Sequence, residues 1–157
     1  MSGRMTVTGL DSVFDQFDTL GAKANEIAEK ALFAGAGVVA GAYENAVNGI
    51  ATEAFHYAGP GEMRLPSPQE KAVLKAGIAK FQNSGDGPDT AVGIADGYAD
   101  VAGKKVPIML VARAINSGTS FMAKQPFARK ARSEAGKSGV NAIVQKAEEL
   151  LNEICKD

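Results

Sequence analysis

Residues 22–47 constrain the fold of this chain more than any other stretch. Ile27, Ala31, Ala34, Val38, Ala42 and Ala46 recur at steps of three or four, which is the period of a helix with one buried face. Small side chains dominate that face, so a second helix can approach it closely. At about 1.5 Å per residue, roughly 26 residues reach about 39 Å, close to the full width of a compact domain of 157 residues. The helix must therefore span the domain, bend at the Gly35, Gly37 and Gly41 cluster, or project towards a neighbour.

The same stretch contains Gly35-Ala36-Gly37-Val38-Val39-Ala40, which satisfies the G-x-G-x-x-A dinucleotide fingerprint, with Glu53 further on. That fingerprint needs a buried strand immediately upstream. Asn25 to Lys30 is instead charged and helical in period, so close helix packing is the better reading.

With 45% apolar and 22% charged side chains, the chain fits one domain over residues 1–157, with a single core. A formal net charge of −1 argues against general nucleic-acid binding or membrane coating, which call for a one-sided excess. The balance is uneven: residues 1–65 carry net −4 and residues 66–157 net +3, a polarity suited to head-to-tail packing of identical copies. The one cysteine, Cys155, makes no internal disulfide and offers no metal-ligand spacing, and so suits a reducing compartment. Residues 1–7 lack the apolar centre of a signal peptide, and the longest apolar run, residues 31–43, is too short to span a bilayer. The expectation is a soluble protein made in the cytoplasm, without a membrane partner.

Elsewhere, Met5 to Thr8 suits a short strand. A small helix follows through Leu20, with Leu10, Phe14 and Phe17 on one side and Gly21 as punctuation. Residues 48–66 lose periodicity and include Gly49, Gly59-Pro60-Gly61 and Pro66, the mark of a mobile loop. His56 lies there between Phe55 and Tyr57 without a second histidine, so a loop or interface histidine is favoured over a proton shuttle. Ser67-Pro68-Gln69-Glu70 is a capping box that opens a helix to about Lys75. Residues 77–82 and 89–95 flank the turn Asn83 to Pro88 and read as a β-hairpin; the turn's acidic residues do not follow the order of a calcium loop. Gly97 to Lys105 reads as a polar connection, and Val106 to Asn116 as a helix, with a buried strand still open. That helix halts at Gly118, and a new one starts near Pro126. Val140, Ile143, Val144, Ala147, Leu150, Leu151 and Ile154 define an amphipathic C-terminal helix, weakened upstream by Gly136 and Gly139. The fold class is α+β: a long N-terminal helix and a C-terminal helix packed on a small antiparallel sheet built around the hairpin.

Chemistry is hard to assemble from these residues. No Ser/His/Asp, Cys/His or paired-carboxylate arrangement stands out, and no catalytic, cofactor-binding or metal-ligating residue is assigned. Gly136-Lys137-Ser138 resembles the end of a phosphate loop, but Ala131 replaces its first glycine. Lys124, Arg129, Lys130, Arg132 and Lys137 form a basic patch. A solvated helix face is its default reading, and a small DNA-binding module using residues 124–137 is the alternative function; aromatic interleaving for base stacking is absent.

Several blocks occur together in one order. They are Gly9-Leu10-Asp11 opening a helix, Lys30-Ala31 and Ala34-Gly35 in the small-residue helix, and Val92-Gly93-Ile94 with Gly97-Tyr98 after the hairpin. Leu110-Val111-Ala112-Arg113 follows, leading into Gly118-Thr119 and Gln125-Pro126-Phe127. In that order the chain resembles the tail-completion, or head-to-tail joining, family of long-tailed bacteriophages. The resemblance implies a non-enzymatic structural virion protein at the head-tail junction, made in the host cytoplasm. It further implies a ring of identical copies, commonly hexameric, that docks the tail tube to the head connector. Gly118, Thr119, Pro126 and Phe127 would be structural determinants, Met122 to Phe127 would fix the last helix against the hairpin, and loop 48–66 would gain order on contact with neighbours.

Overall fold

The computed structural model describes residues 10–82, 88 and 90–156. The expected strand at Met5 to Thr8, most of the turn at Asn83 to Pro88, and the side-chain positions of Leu10, Phe14 and Phe17 lie outside the described residues. The elements in chain order are α1 (Leu10–Asn48), α2 (Pro68–Ala76), β1 (Ile78–Gln82), β2 (Thr90–Ile94), β3 (Tyr98–Val101), β4 (Lys104–Pro107), α3 (Ile108–Ser117) and α4 (Phe127–Ile154). The fold is α+β, with α1 packed against α4 beside two small antiparallel two-stranded sheets.

α1 is one unbroken helix of 39 residues, about 58 Å long. Neither Gly21 nor the glycine cluster interrupts it, because single glycines weaken a helix by only about 1 kcal/mol each and tertiary packing outweighs that. The fingerprint at Gly35 to Ala40 is therefore helical, with helix rather than strand immediately before it, and the dinucleotide reading falls away.

α4 runs antiparallel to α1. Phe127 meets Tyr43 edge-on, with ring centroids 6.4 Å apart and an interplanar angle of 72°; Gly139 lies against Gly35; and Leu150 to Ile154 lie beside Lys23 to Lys30. At the crossing the backbones are too close for a larger residue. A Cβ on Gly35 would sit 2.8 Å from Ile143 Cδ1 and 3.1 Å from the Gly139 carbonyl oxygen, and one on Gly139 would sit 3.2 Å from Val39 Cγ2. Gly139 is thus a packing residue, and α4 continues through Gly136 and Gly139 without a break. Before Lys23, α1 runs on past the end of α4, where Asp15, Asp18, Thr19, Gly21 and Ala22 are exposed. The long helix is continuous and runs on past α4.

One expected sheet is in fact two hairpins. β1 and β2 pair in the register Ile78↔Ile94 to Gln82↔Thr90, as the alternation at Thr90 to Ile94 suggests. β3 and β4 pair in the register Tyr98↔Pro107 to Val101↔Lys104, where a polar connection was expected. Their turn is Ala102-Gly103, with φ of 49° and 77°, the doubly positive pattern of a tight two-residue hairpin loop. Alanine rarely adopts that conformation, so the turn carries no Asn-Gly or Asp-Gly signal. Pro107 ends β4, and α3 starts at the next residue.

The core gathers Val47, Ile50, Leu74, Val101, Val111, Ala112, Ile115, Met122, Phe127 and Ala131. It lies between the end of α1, the start of α4, α2 and α3. No helix among the described residues is long and apolar enough to cross a membrane.

Candidate interaction surface

The elbow between α3 and α4 brings Gly118, Thr119, Pro126 and Phe127 together. Gly118 ends α3 with φ 74°, a left-handed conformation open to glycine, and its N–H donates to the Ala114 carbonyl at 2.9 Å. Thr119 closes the next turn: its Oγ1 accepts from the Phe121 and Met122 N–H groups at 3.3 and 3.0 Å. Its own N–H donates to the Met122 carbonyl at 2.9 Å. Met122 is thereby driven into the core, where it is 2% exposed. Pro126 occupies the N-cap position of α4 but offers no side-chain cap; Asn116 supplies one from α3, its Oδ1 accepting from the Ala128 N–H at 3.1 Å. Phe127 is buried against Tyr43.

Residues 49–67 form neither helix nor strand among themselves, yet they are not a free loop. Gln125 clamps Ala51 by accepting from its N–H and donating to its carbonyl, both at 2.9 Å. Arg64 pairs with Met122 in a parallel bridge, through Arg64 N–H to Phe121 O at 2.9 Å and Ala123 N–H to Arg64 O at 3.0 Å. Glu53 accepts from the Leu65 N–H, and Lys71 of α2 donates to the Asn48 and Ile50 carbonyls at 2.7 and 3.0 Å, which caps α1. These bonds make residues 49–67 a strap tied to the elbow and to α2, and such long-range side-chain bonds have no local sequence pattern. Nor does the elbow fix α4 against the hairpin: its bonds run to α3 and to the strap, and α4 itself packs on α1.

Beneath the strap lies a buried ion pair. Arg64 Nη1 and Nη2 donate to Glu70 Oε2 and Oε1 at 2.7 Å each, and both side chains are 7% exposed. Glu70 also closes the capping box, accepting from the Ser67 N–H at 2.7 Å. Burial pushes the Glu70 carboxyl up, but the Arg64 guanidinium and the Ser67 bonds outweigh it and hold the group below its ordinary range. The capping box marks Glu70 in the sequence; nothing local marks Arg64.

Over this pair opens a hollow of about 430 Å³, lined among others by Val106, Leu110, Arg113, Ala114, Phe121 and Met122. Leu110 and Phe121 are 57% and 47% exposed. Arg64, which lines the hollow, lies 5.0 Å over the Phe55 ring, Tyr57 stands edge-on to Phe55, and Lys104 of β4 lies over Tyr57. Exposed Leu, Phe and Arg around a concave apolar floor is the composition of a protein-protein contact. The ionised pair in the floor is already saturated by its own partners, and the remaining lining is chiefly apolar.

His56 ties the outer turn of the strap. Its Nδ1 lies 3.3 Å from the Ala54 carbonyl, its Nε2 3.1 Å from Glu62 Oε1, and Glu62 also accepts from the Gly59 N–H at 2.8 Å. The Ala54 carbonyl, and then Glu62, raise the His56 pKa above 6.5.

Lys124, Arg129, Lys130, Arg132 and Lys137 are all exposed, and none forms an ion pair with a described residue. Lys124, Lys130 and Arg129 border adjoining hollows at the start of α4. Lys130 faces Gly49, whereas Arg132 borders the groove beside β2.

No family model, curated protein or solved structure matches the chain.

Proposed function

We propose that the chain is a structural, non-enzymatic subunit of the head-to-tail joint of a long-tailed bacteriophage, acting by assembly into a ring. Copies of itself, the head connector and the tail tube are its partners, and neither cofactor nor metal is required. The observation that carries this reading is the elbow. The Gly118-Thr119 and Pro126-Phe127 block, the most specific part of the sequence resemblance, folds into one hydrogen-bonded joint beside an apolar hollow. Such a joint holds a binding face rigid, which limits the ordering cost of association. The test is tail attachment in vitro with purified tails and filled heads. The protein restores joining, and Leu110→Asp or Phe121→Asp reduces it at least tenfold while leaving the circular dichroism unchanged. A protein that binds neither connector nor tail tube and supports no joining overturns the reading.

The unpaired cations favour one second reading, a DNA contact through Lys124, Arg129, Lys130 and Arg132. Arg129 and Lys130 sit in the first turn of α4, which carries no acidic residue, and the positive end of a helix disfavours cations there unless an anion is close. Salt-dependent retention on DNA supports it, and retention unchanged after neutralising Arg129, Lys130 and Arg132 removes it.

A further inference from the structure

The hollow over the Arg64–Glu70 pair holds one charge that the protein itself does not answer. Its α3 wall is a single stripe: Leu110, Arg113, Ala114 and Ser117 recur at helical spacing and line the hollow together. The charged side chains among the described lining residues are Arg64, Glu70 and Arg113. Arg64 and Glu70 neutralise each other through two bonds, which leaves the Arg113 guanidinium uncompensated. Arg113 and Ser117 are exposed, and among the described residues neither side chain has a hydrogen-bond or ion-pair partner. Thr119 Oγ1 already accepts two N–H groups and keeps its own proton to donate. The uncommitted side chains thus offer a guanidinium and two hydroxyl protons beside an apolar floor, and no carboxylate is left there to receive a cation.

The apolar part of the lining sets the other half of the ligand. Leu110 and Phe121, at 57% and 47% exposed, are too open to enclose a free small molecule, which buries roughly 70–90% of its surface in a typical site. A side chain projecting from a larger partner needs cover on one side alone, because its own protein covers the other.

We infer that the hollow takes a large apolar side chain of a partner protein, and that an aspartate or glutamate next to that side chain pairs with Arg113. A guanidinium meets a carboxylate through two parallel bonds, and Ser117, one helical turn beyond Arg113, supplies a further donor. This assignment rests on the reading of the hollow as a docking face and names the partner chemistry that the face selects.

The test is titration of the full nitrogen-15-labelled chain with capped tetrapeptides, followed through the amide signals of Ser117, Gly118 and Phe121. Acetyl-Gly-Phe-Asp-Gly-amide shifts these signals with a dissociation constant of about 1 mM or tighter. Asn in place of Asp weakens binding about fivefold, and Ala in place of Phe about tenfold or more. Arg113→Gln abolishes the preference for Asp over Asn and keeps the preference for Phe over Ala; Lys75→Gln, on exposed α2 surface, changes neither. Equal affinity for Asp, Asn and Lys peptides, or no shift at these signals, overturns the proposal. Decanoate binding as tightly as the Phe-Asp peptide overturns it in favour of a free amphiphile, and shifts of the same signals on dilution of the protein alone overturn it in favour of a second copy. Tail joining that depends on Leu110 without any selectivity for the Phe-Asp peptide ends this assignment and leaves the joint reading in place. Selective peptide binding by a chain that supports no joining does the reverse.

Discussion

Arg64 and Glu70 are joined by two parallel bonds under a strap with no regular structure, so the pair anchors a segment that neither helix nor sheet holds. Arg64→Ala leaves a buried carboxylate with only the Ser67 bonds, and the expected loss is about 3–5 kcal/mol, measured by urea denaturation at pH 7. Arg64→Ala also raises the Glu70 pKa. Because that pKa is depressed in the folded protein, the pair's contribution is complete above the ordinary value of 4.5 and drains away as pH falls through the folded value. Urea midpoints from pH 7 to pH 3 therefore decline below about 4.5 in the parent, and the Glu70-dependent part of that decline is absent in Glu70→Gln. His56 has the opposite sign. Its pKa is raised by the Ala54 carbonyl and Glu62, so its tie on the strap is complete below pH 6.5 and is lost as pH rises through the folded value. Carbon-bound imidazole protons followed by NMR show a midpoint above 6.5, and Glu62→Gln lowers it.

The helices divide the glycines into two kinds. Gly35 sits at the crossing with α4, whereas a Cβ on Gly37 would meet nothing within 4 Å. Gly35→Ala gains about 1 kcal/mol of helix propensity but overpacks against Ile143 and the Gly139 carbonyl, for a net loss of about 1–2 kcal/mol. Gly37→Ala keeps the gain and stabilises by up to about 1 kcal/mol. Thermal denaturation of both variants separates the two outcomes, and Ile143→Val relieves part of the Gly35→Ala defect. Helical period and capping chemistry made most elements legible from residues alone: α2 opens at Ser67 and α4 begins just after Pro126, as their local signals indicate. What stayed hidden depended on tertiary context. Gly21, Gly136 and Gly139 read as breaks because propensity is local, while the packing that keeps the helices continuous is not. β3 and β4 were hidden because Ala102-Gly103 is an unusual pair for a tight turn and both strands are short.

Across the whole molecule, the resemblance names four elbow residues, and the fold brings all four to one joint. The residues that pin the strap to it, Arg64, Gln125 and Lys71, pair across distances in sequence that no periodicity spans. Exposed Leu110 and Phe121 read as ordinary apolar positions until the fold turns them outward. The charge asymmetry between the halves of the chain acquires a spatial counterpart in the acidic projection of α1 and the basic start of α4. A projection made from an uninterrupted helix is also a rotor locked to the body. Deleting two residues between Ala22 and Asn25 swings its tip by about 200°, whereas deleting seven returns the bearing to within about 20° and merely shortens the reach by about 10 Å. The number of residues in that stem fixes the azimuth of the tip relative to α4.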